Sequence, residues 1–302
     1  MIQSQSAAVI DLGTNSIKFI LAEKTPENTL NILYERTDEV RIGAGISHSS
    51  PSLEDTAIEQ ASDAIASLIE IKNQHQIDPI RIVATSAVRE AKNQNHLLEI
   101  IKSKTGVQLE ILSGESEAYY IGQAIRMDTH YQQIQTLNSI DLGGGSLEWI
   151  HLKNNSVERA LSLPLGAVRL TEQFIKDPTQ AISEDVIQSI EDHVKNILTK
   201  NTIILSSKCP LLGSGGAFHI LTHLLKPKSS LALNAIQELA LASAHLPLQR
   251  RIDKLNIPAK RADIIPAAFI TIACFMKHFD IEYVEHSKCS LKMGILKEML
   301  GL

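Results

Sequence analysis

The sequence predicts an α/β protein of two related domains that face each other across a cleft. Two observations carry that expectation. Strand-like apolar runs alternate with helix-like stretches along the chain. The turn DLGTNS at 11–16 also returns as DLGGGS at 141–146, about 130 residues later. Each copy follows a short apolar run (AAVI, LNSI) and precedes a second one (IKFILAE, LEWIHL). Each turn therefore reads as the tip of a hairpin rather than a strand-to-helix crossover.

The elements follow in order. After the first hairpin, Ile58, Ala61, Ile65, Leu68 and Ile69 recur at helical spacing, which predicts a helix from about Leu53 to His75. Ser52 with Asp55 has capping-box spacing at its start. RIVATSAVR after Pro79 reads as a strand, HLLEIIKSK as a helix stopping at Gly106, VQLEIL as a strand and SGESEAYYIGQAI as a helix. The polar stretch DTHYQQIQTLN at 128–138 sits where a linker would fall. The expected domains are therefore 1–127 and 128–302, with the final helix able to pack back on the first. The second copy restarts the pattern as strand, turn and strand. SEDVIQSIEDHVKNILTK is helical with Ser183 at its N-cap, and LLGSGGAFHIL at 211–221 is a third glycine turn. LNAIQELALASAHL and RADIIPAAFITIACFMKHF read as helices, whereas HSKCSLKMGIL suits more than one state. RRIDKLNIPAKR at 250–261, with five Lys or Arg and one Asp, reads as a solvated helix face.

Composition bounds the function. A hydrophobic content of 44% with 21% charged residues suits a globular core, and a net charge of −5 gives no general electrostatic case for nucleic acid or an anionic membrane. An anionic substrate must be held by a local site. No apolar run approaches the ~20 residues that span a bilayer, and the N-terminus lacks a signal-peptide pattern. Cys209, Cys274 and Cys289 match neither a zinc spacing nor a disulfide framework, so a reducing cytoplasm is expected. His219 and His223 lack the glutamate of a zinc-protease motif, and neither a P-loop nor a dinucleotide fingerprint is present.

A D-x-G-x-x-S turn between two strands has a physical use. Glycines permit close backbone approach, successive N–H groups can converge on an anion, and the Ser hydroxyl adds a donor. The Asp at the strand end can hold Mg²⁺ or Mn²⁺ through hard oxygens. Phosphate is therefore expected at Gly13, Thr14, Asn15 and Ser16 on one side, and at Gly143, Gly144, Gly145 and Ser146 on the other. Asp11 and Asp141 are the associated carboxylates.

The paired hairpins resemble those of the actin-like ATPase and sugar-kinase superfamily, whose two domains have a ribonuclease H-like fold. ATSAVREAKN at 84–93, ILSGESEA at 111–118, IDLGGGSLE at 140–148, LSLPLGAVRLTEQF at 161–174 and KRADIIPAAF at 260–269 narrow the likeness. In that order they resemble the exopolyphosphatase / guanosine pentaphosphate phosphohydrolase (Ppx/GppA) family in a short, two-domain form. The resemblance implies Mg²⁺-dependent removal of terminal phosphate from inorganic polyphosphate. Its alternatives are pppGpp hydrolysis, or a sensor that binds polyphosphate or guanosine penta/tetraphosphate with little catalysis. It implies Glu117 as general base, with Asp141 and Glu148 placing the metal beside Asp11. It also implies Arg89 near the reacting phosphate, Gly215 and Gly216 at a third phosphate-binding turn, and a homodimer. Arg169 is assigned to either substrate contact or packing. The sequence departs from the family at Ala217, where a threonine is usual, at Tyr119, and in SKCSLKMG at 287–294.

Overall fold

In the computed structural model, which describes residues 5–203, 205 and 209–302, the first apolar runs form a hairpin. Strands β1 (Ser6–Leu12) and β2 (Ile17–Lys24) pair antiparallel, with Leu12 opposite Ile17, so residues 13–16 are the turn between them. Strand β3 (Leu30–Asp38) extends the meander. Helix α1 (Asp55–Gln74), β4 (Ile80–Ala84), α2 (Ser86–Glu90), α3 (Gln94–Thr105), β5 (Leu109–Ile111) and α4 (Gly114–Met127) follow. The sheet order is β3-β2-β1-β4-β5, with β1, β4 and β5 parallel.

The predicted face of α1 is buried through Ile58, Ala61, Ile65 and Leu68, and Gly106 closes α3 in a left-handed conformation (φ 72°). Two expectations fail. The N-cap of α1 is Glu54, which makes no side-chain cap bond. Asp55 is thus the first helical residue, not the third, and Ser52 is not its capping partner. RIVATSAVR is a strand only to Ala84: its neighbour β1 runs out at Leu12, opposite Ala84, and Ser86–Glu90 turns into α2. Strand β3 has no sequence signal because it is a sheet edge with no fully buried residue.

The second unit repeats this plan. Strands β6 (Thr136–Leu142), β7 (Leu147–Lys153) and β8 (Ser156–Leu163) form the meander. Helices α5 (Ala167–Phe174) and α6 (Glu184–Lys200), β9 (Leu211–Ser214) and α7 (Gly216–Leu225) come next. They are followed by β10 (Leu231–Ala232), α8 (Leu233–Ala244), α9 (Leu248–Leu255), α10 (Ile265–His278) and β11 (Tyr283–His286). The order β8-β7-β6-β9-β11, closed by β10, reproduces β3-β2-β1-β4-β5 with the same strand directions. Ser183 is the N-cap of α6, but its side chain makes no cap bond. Helix α10 is buried at every position from Ile265 to Met276, as befits a helix apolar all round.

The chain divides into one unit reaching Gln133 together with Cys289–Leu302, and a second of Ile134–Lys288. The ambiguous C-terminal segment becomes α11 (Leu291–Leu300), which packs on α4 and β1 in the first unit. The unusual Lys292 pairs with Glu35 of β3 at 2.6 Å, and Glu298 meets Arg81 at 2.9 Å. The atypical SKCSLKMG segment thus anchors α11.

In the basic run at 250–261, Arg250, Lys254 and Lys260 are exposed as expected, and Arg251 is the exception. Arg251 is fully buried and donates to the carbonyls of Ser243, Pro178, Ala262 and Gln180 at 2.8–3.0 Å. It is a structural cation that satisfies four loop and helix-end carbonyls. None of the three cysteines is in a disulfide, and Cys274 and Cys289 are buried. No helix of the described residues is long and apolar enough to cross a membrane.

Candidate active site

Both glycine turns sit at the carboxyl ends of the parallel strands in their own sheets, where open α/β sheets bind ligands. In each, the N–H of the first glycine donates to the carbonyl of the serine three residues on: Gly13 to Ser16, and Gly143 to Ser146, both at 3.0 Å.

The second turn is fixed from behind. The Gly143 carbonyl accepts from Ala167 N (3.0 Å), and that of Gly144 from Val168 N (2.8 Å) and Arg169 N (3.2 Å). The Gly145 carbonyl accepts from Arg169 Nε at 2.8 Å. A trans peptide points its carbonyl and the next N–H in opposite directions. The start of α5 therefore aims the N–H groups of Gly144, Gly145 and Ser146 away from itself, as a nest for an anion. Gly166 allows this approach, since any β-carbon there would strike the backbone of Gly144 and Gly145. Arg169 thus acts within its own unit on the loop backbone.

The first turn has the same device. Gly43 N donates to the Thr14 carbonyl at 2.9 Å, and Arg41 N to that of Asn15 at 3.0 Å. Arg41 Nε reaches Asn15 Oδ1 at 3.1 Å, and a β-carbon on Gly43 would collide with the Thr14 methyl. The N–H groups of Asn15 and Ser16 are turned away from this segment. Thr14, Asn15 and Ser16 are buried.

The carboxylates differ between the two copies. Asp141 stands opposite Glu148, and directly opposed residues share a face of the sheet. Ser214 of β9 donates to Asp141 Oδ2, and Ser162 of β8 to Glu148 Oε1, each at 2.7 Å. Asp11 in the first copy stands opposite Lys18, 3.8 Å away. The second hairpin is therefore the one with two adjacent hard-oxygen donors.

Glu117 lies in the first turn of α4, whose N-cap Ser113 accepts from Ser116 N at 3.1 Å. It is buried, and Arg89 Nη1 contacts Glu117 Oε2 at 3.2 Å and the Leu112 carbonyl at 2.8 Å. Arg89 is thus paired with the candidate base. Asp11 lies next to the end of β1, while Arg89 follows β4 and Glu117 follows β5, so all three lie toward the carboxyl ends of the parallel strands of the first sheet.

At the third turn Gly215 has φ 97°, and a β-carbon there would sit 2.5 Å from the Leu142 carbonyl and 3.2 Å from Asp141 Oδ1. Gly216 leaves room for the Arg261 guanidinium, which would overlap any side chain at that position. His286 ends β11 in register with Gly213. Burial pushes its imidazole below the usual value, and His219 and Lys288 add to the shift.

Residues 19–302 match the Ppx/GppA phosphatase family. The chain belongs to that family. Exopolyphosphatase 1 of Mycobacterium leprae is 25% identical over 97% of this chain and 88% of its own length. Guanosine-5'-triphosphate,3'-diphosphate pyrophosphatase of Vibrio parahaemolyticus is 24% identical over 97% of this chain, which spans 59% of that protein. An exopolyphosphatase structure from Cytophaga hutchinsonii has the same fold (TM-score 0.87, 23% identity, 98% of both chains). So does the Aquifex aeolicus Ppx/GppA protein (TM-score 0.80, 24% identity, 98% of both chains). The α/β pair expected from the sequence is thus the Ppx/GppA fold.

Four residues of this Ppx/GppA chain were invisible as site elements in its sequence: Arg41, Gly43, Ser162 and Ser214. The available signal was positional, since RIG at 41–43 and LGAVR at 165–169 each follow the third strand of a unit.

Proposed function

We propose that this chain hydrolyses the terminal phosphoanhydride bond of inorganic polyphosphate, releasing orthophosphate. The observation that carries this reading is the second hairpin, where outward-turned N–H groups of residues 144–146 adjoin the Asp141–Glu148 pair. Anion donors beside paired carboxylates suit a phosphate chain that arrives with a divalent cation.

The donor set fits Mg²⁺, which is held by one or two carboxylates with water and substrate phosphate completing its shell. Asp141 and Glu148 would hold it; Asp11 is the corresponding carboxylate of the first unit, where Lys18 offsets its charge. Mn²⁺ has the same donor preference. The ion would neutralise charge on the phosphoryl oxygens during transfer. Glu117 orients a water on the terminal phosphorus and accepts its proton. Arg89 holds the Glu117 carboxylate in place. Gly13, Ser16, Gly143 and Ser146 shape the two turns, and Gly215 and Gly216 add a third beside Asp141. The same reading carries a reducing cytoplasm, supported by three cysteines without a disulfide, and a homodimer, supported by the family resemblance alone.

A second substrate, guanosine pentaphosphate, is supported by the likeness to the Vibrio parahaemolyticus protein. Orthophosphate release from polyphosphate and from pppGpp, measured side by side under kcat/KM conditions, tests the proposal. The expected result is release from both, with polyphosphate preferred. Preference for pppGpp would replace the substrate, and tight binding of either without release would make the protein a sensor.

A further inference from the structure

One row of side chains crosses four adjacent strands of the second unit: Ser214 in β9, Asp141 in β6, Glu148 in β7 and Ser162 in β8. The register sets all four on one face, each serine outside the carboxylate it serves. Each hydroxyl donates to one carboxylate oxygen at 2.7 Å, Ser214 to Asp141 Oδ2 and Ser162 to Glu148 Oε1.

The first unit supplies an internal comparison, because its hairpin has the same strand order and register. The equivalent positions there hold Val83, Asp11, Lys18 and Thr37. The fold therefore does not require serines at the ends of the row. At the β9 end the first unit has Val83 and no hydroxyl, whereas at the other end Thr37 keeps one, beside Lys18 rather than a carboxylate.

We infer that Ser162 and Ser214 are positioning residues that hold Glu148 and Asp141 in the rotamers needed to share one divalent cation. This rests on the proposed metal role of that pair. A short aspartate and a longer glutamate on neighbouring strands have several rotamers, and a like-charged pair would tend to splay. A hydroxyl bonded to one oxygen of each fixes the headgroup and its orientation. For Asp141, Gly215 then crowds the remaining oxygen least of any residue, because even a β-carbon would sit 3.2 Å from it. Such outer contacts to metal-binding carboxylates are typically worth ~10–100-fold in metal affinity.

The test is a Mn²⁺ titration of the full chain followed by electron paramagnetic resonance. It compares wild type with Ser162→Ala, Ser162→Thr and Ser214→Ala, each checked for a native melting transition. Ser162→Ala and Ser214→Ala should each weaken Mn²⁺ binding about tenfold, while Ser162→Thr, which keeps the hydroxyl, should bind nearly as wild type does. The Mg²⁺ concentration for half-maximal phosphate release should rise by the same factor in the alanine variants, with kcat at saturating Mg²⁺ largely restored. Wild-type binding of Mn²⁺ with unchanged affinity in folded Ser162→Ala and Ser214→Ala would overturn the inference alone. A wild type that binds no Mn²⁺ would overturn the metal reading and the inference with it. Should Ser162→Ala fail to fold, Ser214→Ala and Ser162→Thr decide the matter by the same criteria.

Discussion

Replacing Glu117 with Gln should lower kcat on polyphosphate at least ~100-fold, because general-base catalysis is typically worth about 10²–10⁴-fold. The substitution keeps the side chain's shape and an oxygen that can hold water, but not the ability to take up a proton. Neither glycine turn nor the Asp141–Glu148 pair is touched, so polyphosphate affinity should change little, or tighten slightly as a negative charge leaves. A purely structural Glu117 gives a different outcome. Its position in the first turn of α4 would then be worth roughly 0.3–1 kcal/mol through the helix dipole, with a modest further loss from the Arg89 contact, which is partly solvent-screened. In that case the melting temperature falls slightly and kcat survives. Measuring kcat and affinity together on both proteins separates the two, and near-normal kcat in the variant removes Glu117 from the chemistry.

Chelation should have an effect of similar size. If Asp141 and Glu148 hold a hard divalent ion, EDTA abolishes phosphate release, and excess Mg²⁺ or Mn²⁺ restores it. Zn²⁺ at the same free concentration should restore it poorly, since the pair offers only carboxylate oxygens. Full activity in chelated buffer would leave the carboxylate pair without its assigned role.

The parts of this site that were legible in the sequence are those where local chemistry and position coincide. A glycine turn between two apolar runs announces a hairpin, and its repetition announces a second domain. Asp141 and Glu148 flank the turn symmetrically, so their opposition across the hairpin follows from its length. Residues that act through long-range contacts were not legible. Arg41 serves the first turn from 26 positions away in the chain, and Ser214 reaches Asp141 across 73. Arg251 misled for the converse reason: in a run with Arg250 and Lys254 it has the composition of a wet surface, yet it alone is turned inward to collect carbonyls. TSAVR has the β-propensity of its neighbours, although β1 does not extend beyond Leu12 to receive it. Propensity is local, whereas strand length is set by the partner.

On the proposed mechanism, water attacks the terminal phosphorus of a polyphosphate chain. Hydrolysis in ¹⁸O-labelled water, with the products resolved by mass, tests it most directly. The account predicts that each orthophosphate released carries one solvent oxygen, and that the remaining chain is shorter by one unit and unlabelled. Label appearing at the new chain end, fragments from mid-chain cleavage, or binding with no labelled phosphate at all would contradict it.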